Sequence, residues 1–96
     1  DLRKNSNNFG KIYKNSIYPG KLLYIPEGFA HGYTTLAKEN IVLYHLSDYR
    51  DKNSDMGIFW KDKSLNIKWK FRNPLLSKRD KSHPSLKEFI RRFKGL

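Results

Sequence analysis

The stretch YPGKLLYIPEGFAHGYTTL, residues 18–36, decides how this chain is read. An apolar run, Lys21 to Ile25, ends at Pro26, a residue that gives the backbone no N–H donor and so stops a strand. Gly28 follows where a tight turn needs a residue free of Cβ strain. His31 stands three residues on, ahead of the β-forming run YTTLA. Strand, turn, strand is the expected local order. The histidine is open to three readings: a ligand, a catalytic group, or a turn residue hydrogen-bonded to backbone.

The same punctuation recurs on either side of this stretch. FGKIYKNSI reads as a short strand, and the YPG at 18–20 as a turn. IVLYHLSDY, 41–49, alternates Ile41, Leu43 and His45 against Val42, Tyr44 and Leu46, the period of a strand. RDKNSDMG is a charged loop, IFW a short strand, DKSLNIKWKFRNP an irregular segment anchored by Trp and Ile, and LLSKRDKSHP a turn-rich connector. SLKEFIRRFKGL reads as a helix, capped by Ser85, or by Ser82 with Pro84 in the first turn. Leu86, Phe89, Ile90 and Phe93 form one apolar stripe on it. Short strands between Gly, Pro and Asn turns predict an all-β sandwich or barrel with a terminal helix.

Composition bounds the function. Ninety-six residues hold one domain at most, with a modest core. There is no cysteine, hence neither disulfide nor thiolate metal site. No apolar run approaches the roughly 20 residues of a membrane span. Twenty Lys and Arg oppose nine Asp and Glu, a formal charge of +11. Such a surplus favours anionic partners or simply solvates the surface. His31, His45 and His83 lack the spacing of a closed metal site, and no metal is expected. The basic face of the terminal helix admits a membrane or nucleic-acid reading, but packing against the barrel is the simpler one. Neither a nucleic-acid nor a membrane partner is expected.

The spacing Gly20, Pro26, Gly28, His31, Thr35 resembles the second histidine motif of the cupin superfamily, G-x5-P-x-G-x2-H-x3-N, with Thr35 at the usual Asn. Its flanks narrow the likeness. DLRKNSNNFGK, IPEGFAHGY, LYHLSDYR, GIFWKDKSLNIKW and PLLSKRD, in that order, resemble the dTDP-4-dehydrorhamnose 3,5-epimerase family over residues 1 to about 82. The resemblance implies a cupin-type antiparallel β-sandwich or jelly roll, here partial. Residues 1–82 would be the C-terminal portion of the epimerase domain and 83–96 a helical tail. It implies a cofactor-free, cytoplasmic, homodimeric enzyme acting on a nucleotide-linked 4-keto-6-deoxy sugar. Protons alpha to the carbonyl, at carbons 3 and 5, are removed on one face and returned on the other.

By the same resemblance Tyr44 is the general acid, and Asp80 is the aspartate that orients the base histidine. His31 and Tyr49 contact the substrate. The base belongs to an R-G-L-H-x-Q type segment that precedes the D-L-R strand in the family, so the natural chain is expected to be longer. His45 and Arg50 depart from the family's Lys and second Tyr. A half sandwich would expose strand edges, which a dimer or an N-terminal segment would cover. A sugar-nucleotide-binding protein without turnover is the rival implied by the missing base.

Overall fold

The computed structural model describes all residues, 1–96. It holds two helices, α1 (Lys78–Ser82) and α2 (Leu86–Phe93), and no β-strand. The expected β-sandwich or jelly roll is therefore corrected. None of the segments read as strands lies in a ladder. Of 22 backbone–backbone hydrogen bonds, 6 lie inside the helices and 16 close turns, caps and loop contacts. None falls between residues 30 and 58, the span that holds IVLYHLSDY. The physical reason is that alternation specifies which face of a strand turns inward, while a sheet also needs a second backbone edge. These segments find no such edge within the 96 residues. Their apolar side chains stay exposed as a result: Leu22 and Ile41 are each 99% exposed.

Order concentrates where the two ends of the chain meet. Leu96 N–H donates to Leu2 O (2.8 Å) and Lys4 N–H to Leu96 O (2.9 Å). Leu2 N–H donates in turn to Gly28 O (2.9 Å), and Gly10 N–H to Asp1 O (2.7 Å). The buried residues are Leu2, Phe89 and Asp1.

The predicted C-terminal helix forms as α2, and Ser85 caps it. The Ser85 hydroxyl accepts from Glu88 N–H at 3.2 Å, which satisfies one of the four orphan donors of a helix start. Asp62 supplies a second acceptor, to Leu86 N–H at 2.8 Å. Phe59 N–H bonds Pro84 O (2.7 Å), so residues 59–62 brace the entrance to α2. Lys94 closes the helix in the left-handed region, φ 55°, its N–H on Ile90 O. The connector LLSKRDKSHP is not all turn: Ser77 caps α1, accepting from Asp80 N–H and donating to Asp80 Oδ2 (2.6 Å). The first of these bonds is an N-cap, satisfying one orphan donor of the helix start; the second joins the two side chains.

Candidate functional site

His31 sits at the end of the loop that Pro26 and Gly28 turn. Phe29 N–H reaches back to Pro26 O (3.4 Å). Gly28 has φ +81°, a conformation that a side chain resists. His31 itself is exposed and makes no hydrogen bond or ion pair. Tyr44 is 68% exposed and Tyr49 99% exposed. Neither phenol has a hydrogen-bond partner, and Tyr49 N–H donates to Asp48 Oδ1 (2.7 Å). Asp80 stands in the first turn of α1. One carboxylate oxygen accepts from Ser77, and the other lies 3.9 Å from His83 Nε2. No hydrogen bond or ion pair joins any two of His31, Tyr44, Tyr49 and Asp80. Each is accessible to a ligand. No group of three or more His, Asp or Glu side chains is arranged to hold a metal ion.

Three polar or aromatic clusters lie near these residues, and motif reading did not find them. Asp55 accepts from Arg50 (Nε, 3.0 Å; Nη2, 2.6 Å) and from Arg79 (Nη1, 2.5 Å). Arg79 first, then Arg50, holds the Asp55 carboxyl well below the usual carboxylate range. Arg50, the departure from the family's tyrosine, is thereby an ion-pair partner within the charged loop, and Arg79 ties that loop to α1 through the same carboxylate. Second, Asp1 gathers Arg3 and Ser6 around a carboxylate with no exposed surface. Third, Trp69 Nε1 donates to Trp60 O (2.7 Å) with the two indoles 6.1 Å apart. With Ile67 and Phe71 they line a shallow cavity of about 200 Å³ whose charged members, among them Lys68 and Arg72, are all cationic. This cavity borders the histidine loop, because a Cβ placed on Gly32 would lie 3.8 Å from the Trp69 ring. The composition signal that pointed this way was the cation surplus interleaved with Trp in KDKSLNIKWKFR.

Comparison with known proteins decides the family. The family described as dTDP-4-dehydrorhamnose 3,5-epimerase matches residues 1–88. The chain belongs to the dTDP-4-dehydrorhamnose 3,5-epimerase family. Curated relatives of that name include one from Shigella flexneri, 45% identical over 82 residues, covering 83% of this chain and 45% of the relative. One from Salmonella typhimurium is 38% identical over 93 residues, covering 94% of this chain and 51% of its own length. One from Escherichia coli K12 is 36% identical over 94 residues, covering 95% and 51%. The chain thus spans about half the length of the curated epimerases it matches. No solved structure matches it. The epimerase match takes in every segment read as a strand, all of α1 and the start of α2. No helix is long and apolar enough to cross a membrane.

Proposed function

We propose that the protein carrying this chain epimerises a nucleotide-linked 4-keto-6-deoxy sugar of the dTDP-4-dehydro-6-deoxy-glucose type. It removes and returns protons at carbon 3, carbon 5 or both, in the cytoplasm, in deoxysugar and surface-polysaccharide synthesis. Membership of the epimerase family over residues 1–88 is the observation that carries the reading.

In it, Tyr44 returns a proton on the face opposite the base. An accessible phenol with no competing hydrogen bond suits that task. The enolate formed at each step needs cationic or hydrogen-bonding partners. His31 supplies one such contact to the sugar, and Tyr49 stacks at the substrate's edge. Asp80 would orient the base, which none of the three histidines here matches. The positive surface, and the cations around Trp60 and Trp69, favour a substrate carrying a diphosphate. The active species is proposed to be a homodimer.

The second reading is binding without turnover. It is favoured by the absence of any hydrogen bond or ion pair among the four candidate residues. Incubation with the 4-keto sugar nucleotide in heavy water separates the two. Deuterium at carbon 3 or carbon 5 supports the enzyme. Saturable binding by calorimetry with no deuterium at either carbon supports the second reading and removes the first.

A further inference from the structure

The loop bearing His31 is held on both sides by residues that take no part in the proposed proton transfers. On the N-terminal side Gly28 O accepts from Leu2 N–H, and the Arg3 side chain lies across the Gly28 Cα. A Cβ on Gly28 would come within 2.4 Å of Arg3 Cγ. The guanidinium continues over the Phe29 ring, 4.8 Å from its centroid. Tyr13 also packs against Phe29, with ring centroids 6.0 Å apart.

Arg3 is itself fixed. Its Nε and Nη2 donate to the two carboxylate oxygens of Asp1 at 3.1 and 2.7 Å. Asp1 is locked by Arg3 N–H (3.0 Å) and the Ser6 hydroxyl (2.7 Å). On the C-terminal side, Gly32 rests beside the Trp69 indole, which its bond to Trp60 O keeps in place.

Between these two anchors His31 makes no hydrogen bond of its own. Where the imidazole is anchored therefore depends on its backbone, and the backbone of this loop is held at residues 28, 29 and 32. We infer that Arg3, with Trp69 on the other flank, is a positioning residue for His31. A bidentate guanidinium holds a direction that a single ammonium cannot. The consequence for turnover rests on the reading that His31 contacts the substrate; the positioning itself does not.

The test follows the His31 ring resonance by NMR in the full protein, beside kcat/KM on the 4-keto sugar nucleotide. Arg3→Ala is expected to move the His31 signal and to lower kcat/KM about 10- to 100-fold, the scale of a misplaced contact. Arg3→Lys, which keeps a cation over Phe29, is expected to fall between Arg3→Ala and wild type in both readouts. Trp69→Phe, which keeps a ring and loses the bond to Trp60, is expected to move Gly32 and His31 together. A His31 signal unmoved by Arg3→Ala, in protein whose α2 resonances stay native, overturns the inference. Should Arg3→Ala fail to fold, Phe29→Leu removes the ring under the guanidinium and decides by the same signal. Wild-type protein without turnover, whose His31 signal still follows Arg3, overturns the enzyme reading and supports the clamp.

Discussion

A methyl group on Gly57 would sit 2.4 Å from His83 Nε2, closer than two such atoms approach. Its backbone is unstrained, so the whole cost is the clash. Gly57→Ala is expected to destabilise by about 1–3 kcal/mol, the usual range for overpacking. His83→Ala in the same chain should recover most of that loss, read as a shift in the denaturant midpoint. Gly28 is a contrasting case. Its Cβ would meet Arg3, and its φ of +81° is itself unfavourable to a side chain. Arg3→Ala is therefore expected to rescue Gly28→Ala only in part, leaving about 1–2 kcal/mol of backbone cost. At this scale the sequence was informative about Gly28, because the P-x-G-x2-H spacing demands a turn there. It was silent about Gly57, whose partner lies 26 positions away, outside any local pattern. Asp80 shows the same limit. Motif matching tied it to a base and did not reveal its bonds to Ser77 at the start of α1.

At the scale of elements, α2 is two turns long and would be marginal by itself. Its start is held by Ser85 and Asp62 together. Ser85→Ala is expected to cost about 1 kcal/mol, measured by urea unfolding. Asp62 adds a pH dependence. The Ser64 hydroxyl, and then the Leu86 N–H, hold its carboxyl below the usual range. A depressed carboxylate stabilises above its unfolded pKa, near 4, and that contribution is lost as pH falls through the folded value. Helical circular dichroism should accordingly fall off less steeply with acid in Asp62→Asn than in wild type. The apolar stripe and the serine cap of α2 were both legible, because helical signals are local. α1 was missed although S-x-x-D at 77–80 announces a cap; its five residues carry no apolar period to accompany it. The strand-like segments failed for a different reason. Period-two alternation is also local, but the edge a strand pairs with is not, and no edge is found within the chain.

The molecule as a whole carries that unmet pairing. Its radius of gyration is 14.1 Å, against about 12.5 Å for a compact chain of this length. Amide exchange should be fast throughout 30–58, where no backbone bond protects the chain. It should be slowest at Phe89 and Lys94, whose N–H groups are bonded to Ser85 and Ile90. Slow exchange across 41–46 would contradict the fold described. The charge of +11 acts at the same scale, drawing anionic ligands at rates that fall with salt. Family membership was legible because five short motifs keep their order along the chain, which needs no knowledge of the fold. How His31, Tyr44, Tyr49 and Asp80 stand relative to one another was not, since that depends on pairing that local pattern does not specify. The chemical proposal turns on Tyr44, and solvent deuterium incorporation into the 4-keto sugar nucleotide, wild type beside Tyr44→Phe, tests it most directly. Tyr44→Phe is expected to lose inversion while exchange persists at one carbon. Unchanged turnover and unchanged inversion in Tyr44→Phe would remove Tyr44 from the chemistry.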